Sequence, residues 1–370
     1  MMHVRRLTKS DGRKLVLYGR APLPESIEAP SPAGETPRAW PELRWHPLRA
    51  EWVIVSAHRQ GRTYHPDAAA NPLAPTLDPR RPTELPQGPW DMAVFENRFP
   101  SLVAWDDPAA PLPQDGDAWP PRAPARGVCE VVVYAQEADT SLGALPLDRI
   151  ELLFEVWADR TRELGERHFI EYVMPFENRG LEVGATLAHP HGQIYAYGFL
   201  PPVVAAELAQ QALHLEVTGH GLIGKVMDNE RADGRRMLFD DGTSVAFVPG
   251  FARYPYEVWI GPREPLRRAD DVDAPTRASL ARALKTVLLR YDGLWGRPFP
   301  YVMVLHQAPT DGRPHPEAHF HLEFYPPLRA PDRLKYVAGA ELGAGTFTND
   351  SLPETRAAEL RAVAIEEPAR

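Results

Sequence analysis

Among its 370 residues the chain has a single cysteine, Cys129. That excludes an intramolecular disulfide and any metal site built on two thiolates. Positive charge is also in short supply. The formal net charge is −9, so nothing in the overall balance would neutralise a phosphate polymer or an anionic membrane surface. No apolar run approaches the length of a membrane span, and the basic stretch 1–20 lacks the continuous apolar core of a secretory signal. These absences point to a cytoplasmic protein with neither a nucleic-acid nor a membrane partner. What the chain does have is apolar substance. At 44% hydrophobic residues it can bury one large core or two domains of ordinary size.

The first forty residues and the stretch 67–89 are rich in Pro, Ala and Asp without periodicity, and are expected to be irregular arms and loops. Apolar, β-branched runs predict strands over 51–57 and 127–134. Pro146 opens a helix with Ile150, Leu153, Phe154, Trp157 and Leu164 at helical spacing, and strands follow over 169–176 and 193–199. The same order returns later. A strand over 256–260 precedes a helix opened by Pro275, with Leu280, Leu284, Val287, Leu288 and Tyr291 on one face, and then a strand over 301–305. The local text repeats as well. Tyr172-Val-Met174 stands 17 positions before His189-Pro-His191-Gly-Gln193, and Tyr301-Val-Met303 stands 18 before His319-Phe-His321-Leu-Glu323. Strand order, helix position and histidine spacing agree on a duplication. It predicts an α+β protein of two similar halves, each an antiparallel sheet with its long helix on one face. The expected division is an arm over 1–43, a first half over 44–202 and a second over 203–370.

Side chains two apart on a strand share a face, so His189, His191 and Gln193 form one polar row on a surface that should otherwise be half-buried. A neutral imidazole is a good nucleophile at phosphorus near pH 7 once its other nitrogen donates to a carbonyl that fixes the tautomer. The Gln193 amide could donate to a phosphoryl oxygen as charge develops. A lone histidine would more often be a satisfied core group, but His-Pro-His-Gly-Gln as a unit favours chemistry.

Phe176-Glu-Asn-Arg-Gly180 followed by Ala188-His-Pro-His-Gly-Gln-Ile194 resembles the active-site segment of galactose-1-phosphate uridylyltransferases, a branch of the histidine-triad superfamily. The likeness continues through Trp45-His-Pro-Leu48, His58-Arg59, Phe95-Glu-Asn97, Ala308-Pro-Thr-Asp-Gly312 and Phe324-Tyr-Pro-Pro327 to Lys335 and Glu341. It implies two histidine-triad-like halves and a ping-pong exchange without organic cofactor. UDP-glucose would give uridylyl-His191 and glucose 1-phosphate, and galactose 1-phosphate would then take the uridylyl group. By motif position, Arg59, Arg62, Phe95 and Asn97 would serve the nucleotide, and Asn178, Thr186 and Gln193 the phosphates. Lys335, Tyr336 and Glu341 would meet the hexose, contributed by the partner subunit of a homodimer.

Many members of that family carry a structural zinc on a Cys-x-x-Cys pair, a loop histidine and the first His of His-Pro-His. Here Asn71-Pro-Leu-Ala74 stands in place of the pair and Ala138 in place of the loop histidine, so only His189 remains. No zinc is expected there, and His189 becomes a hydrogen-bonding support for His191. A second metal site of some relatives falls on Glu207, His306 and His321, with Glu323 in place of a further histidine, and zinc or iron fits such a set. A buried hydrogen-bonded row left by the duplication is the competing reading of His319 and Glu323. Three other functions stay distinguishable. A transferase or phosphorylase for another nucleotide or sugar phosphate, such as an ADP-sugar, differs in the base it accepts. A non-catalytic scaffold would bind without a covalent adduct. A histidine-triad hydrolase should carry an imidazole where Gln193 stands.

Overall fold

A computed structural model of the chain describes residues 2–32, 34, 40–61, 71–105 and 119–366. The strands of its first part are β1 (His3–Thr8), β2 (Lys14–Gly19), β3 (Glu42–His46), β4 (Glu51–Val55), β5 (Met92–Glu96), β6 (Arg122–Pro124), β7 (Gly127–Val133), β8 (Tyr172–Arg179) and β9 (His191–Tyr197). Those of the second are β10 (Met237–Asp240), β11 (Ser244–Phe247), β12 (Val258–Pro262), β13 (Tyr301–His306), β14 (His321–Tyr325) and a separate short pair, β15 (Leu328–Ala330) and β16 (Arg333–Leu334). Eleven of them form one sheet in the order β1-β2-β5-β7-β9-β8-β13-β14-β12-β11-β10, antiparallel throughout. Outward from the β8–β13 seam, β8, β9, β7 and β5 on one side match β13, β14, β12 and β11 on the other. The duplicated strands are thus themselves paired, with Tyr301 opposite Arg179 and Val304 opposite Phe176.

The long helices α1 (Leu147–Gly165) and α4 (Ala274–Leu294) lie against one face of this sheet and against each other. Their apolar stripes, Ile150, Leu153, Phe154, Trp157 and Leu164 on α1 and Leu280, Leu284, Val287, Leu288 and Tyr291 on α4, enter one core spanning both halves. Each such side chain removed from water contributes about 1.5–3 kcal/mol. α1 is also pinned to β7 by a buried pair, Arg160 Nε and Nη2 donating to the Glu130 carboxylate at 2.9 and 2.8 Å. On β9, Ile194 and Ala196 turn into this core. The alternation of a strand therefore leaves His191, Gln193 and Tyr195 on the opposite face. That face carries the site. Helices α2 (Pro202–Thr218) and α3 (Leu222–Asp233) follow β9, and α5 (Pro353–Ala362) lies near the end of the chain.

Two local expectations are corrected. The opening residues are not an irregular arm: β1 and β2 form a hairpin that extends the sheet through β2–β5. β2 is buried on both faces, so it shows no alternation, and its partner β5 lies far along the chain. The hairpin turn is anchored by Lys9 and Arg13, which both bind the buried Glu84 carboxylate, at 2.7 and 2.9 Å. In the second place, the strand expected over 169–176 is displaced along the chain: β8 starts at Tyr172 and takes in Glu177, Asn178 and Arg179 as its end. β13, which follows more than a hundred residues later, supplies their hydrogen-bonding partner.

Candidate active site

His191 is the first residue of β9 and is half-buried. Its Nδ1 donates to the His189 carbonyl at 2.7 Å, which leaves the lone pair on Nε2. Burial lowers the His191 pKa, against a smaller opposing effect of that hydrogen bond, so the imidazole is neutral at pH 7. The next residue has to be glycine. A Cβ on Gly192 would lie 2.2 Å from the Tyr134 hydroxyl and 3.0 Å from the Phe176 carbonyl oxygen. β9 therefore runs directly over the ring of Tyr134.

A cavity opens in front of His191. Gln193, Asn178 and Thr186 line it together with Arg59, Phe95 and Asn97. Asn178 arrives by strand register: Phe176 sits opposite Gln193, so Asn178, two residues on, reaches the level of His191 on the same face. Thr186 comes from the loop after β8, which turns at Gly180 and Gly184 with φ of 97° and 78°. Arg59 stands on a 3-10 turn, Ala57–Gly61, with Nη1 donating to the Phe99 carbonyl at 2.6 Å. Asn97 accepts the Phe99 amide at 2.9 Å. Phe95 is almost fully buried yet forms part of the wall, and the Lys9 ammonium lies 5.0 Å from its ring centre. Arg62 lies outside the described residues. Sequence reasoning missed Tyr195, which lines the same cavity and bonds Ser101 Oγ at 3.3 Å. The two-residue period that groups His191 with Gln193 would have reached it. Pro72 and Leu73, also in the wall, carried no signal of their own.

A half-buried neutral imidazole with its lone pair facing a cavity lined by arginine and amide groups is a site for transfer at phosphorus. The family model for the N-terminal domain of galactose-1-phosphate uridyl transferase matches residues 34–201, and that for the C-terminal domain matches 207–368. The chain belongs to the galactose-1-phosphate uridylyltransferase family. A galactose-1-phosphate uridylyltransferase of Thermotoga maritima is 39% identical over 88% of this chain and 99% of its own length. One from Streptomyces lividans is 34% identical over 96% of each. A solved uridylyltransferase structure superposes with a TM-score of 0.76 at 33% identity, over 87% of this chain and 98% of that one. An ADP-glucose phosphorylase of Arabidopsis thaliana, solved with ADP-glucose, shares the fold at 24% identity and a TM-score of 0.65.

Against the family's first zinc site, the residues present do not fit a metal. The Asn71 Nδ2 amide donates to His189 Nδ1 at 2.9 Å, and His189 Nε2 donates to the Ala135 carbonyl at 2.8 Å. Both ring nitrogens are engaged, and Cys129 belongs to a separate buried cluster. Of the second set, His306, His321 and Glu323 come together as possible ligands, while Glu207 is the partner of His306. His321 repeats the geometry of His191: its Nδ1 donates to the His319 carbonyl at 2.8 Å, as His319 Nε2 does to Pro262. Its Nε2 then faces Glu323 Oε1 at 3.1 Å, two acceptors opposed. His306 gives Nδ1 to Glu207 at 2.8 Å and keeps a buried Nε2 without a partner. The ligand atoms of His306, His321 and Glu323 lie within 4.8 Å of one another. Such a set could take a cation between the acceptors, and Arg253 at 3.3 Å and the Tyr325 hydroxyl already partner Glu323.

Lys335, Tyr336 and Glu341 are not among the residues that line the His191 cavity of this chain. Lys335 Nζ pairs with Glu341 at 2.9 Å and donates to the Thr348 carbonyl at 2.6 Å, while Tyr336 is 73% exposed.

Proposed function

We propose that the chain transfers a uridylyl group between UDP-glucose and galactose 1-phosphate through His191. The observation that carries this reading is the His191 Nδ1 bond to the His189 carbonyl, which presents Nε2 to the cavity. In the first step Nε2 bonds to the α-phosphorus of UDP-glucose while the bond from that phosphorus to the glucose 1-phosphate oxygen breaks. In the second, a phosphate oxygen of galactose 1-phosphate attacks the same phosphorus and Nε2 leaves, giving UDP-galactose. The leaving group is a stable phosphate anion, so the site must orient and stabilise charge more than move protons. Gln193, Asn178 and Thr186 surround the phosphates in this reading, and Arg59, Phe95 and Asn97 hold the nucleotide, with Arg62 assigned there by motif alone.

The hexose end is completed, in the same proposal, by Lys335, Tyr336 and Glu341 of a second copy of the chain. That none of them lines the His191 cavity of its own chain, and that Tyr336 is exposed, support a homodimer. Glu207, His306, His321 and Glu323 are proposed to hold zinc or iron, which would cross-link α2 to β13 and β14 without entering the reaction. Among the described residues no helix is long and apolar enough to cross a membrane, which supports the proposed cytoplasmic location. The deciding experiment is intact mass of wild type and His191→Ala after brief incubation with UDP-glucose or with ADP-glucose. A uridylyl adduct on wild type alone is expected. An adenylyl adduct would reassign the base, and binding of either donor without an adduct would favour a scaffold.

A further inference from the structure

We infer that Asn71 is a positioning residue for this transfer, holding His191 through His189 and tying the nucleophile to the wall of the nucleotide cavity. The inference rests on the reading of His191 as nucleophile.

The amide of Asn71 has two ends, and the structure uses both. Oδ1 accepts the Leu73 backbone N–H at 3.0 Å. This closes an Asx turn and decides which end is the nitrogen. Nδ2 then donates to His189 Nδ1 at 2.9 Å. An Nδ1 that accepts must leave the proton on Nε2, and that nitrogen donates to the Ala135 carbonyl at 2.8 Å. The His189 ring is only 2% exposed, so water does not substitute for either partner. The carbonyl of this same residue takes the His191 Nδ1 proton. Hydrogen bonds, linked through the covalent frames of Asn71 and His189, therefore run from Leu73 to the His191 imidazole. Leu73 and His191 both line the cavity. A neutral amide here does the geometric work that a metal would do with thiolates, and it does so without any ligand that must be deprotonated.

Two variants separate the ends of the amide. Asn71→Ala removes both bonds. Asn71→Asp keeps an acceptor for the Leu73 N–H but sets a carboxylate against His189 Nδ1, where a donor is required. Three readouts are used: the rate of adduct formation on His191 with UDP-glucose, steady-state kcat and KM, and the ring nitrogen resonances of His189 in ¹⁵N-histidine-labelled protein. Both variants should form the adduct about tenfold or more slowly, because small displacements of a nucleophile are magnified in rate. KM for UDP-glucose should rise for Asn71→Ala and stay near wild type for Asn71→Asp, which preserves the wall. The His189 Nδ1 resonance should move in both variants, reaching the doubly protonated position in Asn71→Asp.

Wild-type adduct rates in both variants would overturn the inference, as would slowed rates with an unmoved His189 resonance. Should the variants fail to fold, the wild-type spectrum decides alone. His189 protonated on Nε2 supports the chain of bonds, and His189 protonated on Nδ1 overturns it. Absence of any adduct on wild type is a different result, since it removes the nucleophile reading while leaving the His189 tautomer to be read.

Discussion

The close approach of Tyr134 to Gly192, next to His191, provides the sharpest test of how the site is built. In Gly192→Ala the new Cβ would stand 2.2 Å from the Tyr134 hydroxyl, where ordinary contact begins at 3.4 Å. More than 1 Å must therefore be found, either by lifting β9 or by displacing a fully buried phenol whose hydroxyl bonds Glu177 Oε2 at 3.4 Å. Overpacking of this kind destabilises by about 1–3 kcal/mol. If β9 yields, His191 moves with it, and a displacement on the order of 1 Å lowers the rate by about 10²-fold. Tyr134→Phe removes the atom the new methyl meets first, leaving the ring carbon Cζ and the Phe176 carbonyl oxygen, each at 3.0 Å. The double variant should therefore regain much of the lost adduct rate although each single variant is impaired or neutral. Thermal unfolding measures the stability and single-turnover intact mass measures the rate. Unchanged stability and rate in Gly192→Ala, or no recovery in the double variant, would refute the packing account.

Other perturbations test the frame and the second polar cluster. Burial, countered by Arg179, pushes the Glu177 carboxyl up to about 7. Its folded-state pKa lies above the ordinary carboxylate value, so folding takes up a proton and stability falls as pH rises from about 4.5 to about 7. Glu177→Gln should flatten that slope, gaining roughly 3 kcal/mol relative to wild type on going from pH 4.5 to pH 8; denaturant unfolding at the two pH values measures it. Arg160→Met strands the buried Glu130 carboxylate and should destabilise by about 3–5 kcal/mol, while the double variant with Glu130→Met should be milder. A double variant as unstable as the single one would show that packing, not charge, is at stake. Metal analysis should find zinc or iron that is lost in His306→Ala and His321→Ala and kept in His189→Ala. Loss in His189→Ala instead would return a metal to the first site.

Much of the frame was legible because it rests on local periodicity. The stripes of α1 and α4 sit where helical spacing put them, and both His-x-His segments lead into matching strands, β9 and β14, whose first residues are His191 and His321. Two similar rows of histidine were equally visible. Their divergence was not, since it depends on what each row faces. His191 opens onto a cavity, whereas the equivalent His321 is buried opposite Glu323. Asn71 illustrates the same boundary. The sequence marks the loss of a thiolate pair at its position, yet the bond to His189 that replaces them joins residues 118 positions apart.

By itself, then, the sequence determined the two long helices, several of the strands and the row of groups able to act at phosphorus, which are written in spacings of two to four residues, and the duplication, which is written in the recurrence of their order. Only the tertiary structure decided that the halves share one sheet through β8 and β13, that the opening residues extend it, and that Tyr134 lies beneath Gly192. These follow from pairing and close packing between segments distant along the chain. Their energy belongs to the contact, so neither partner segment carries the signal alone.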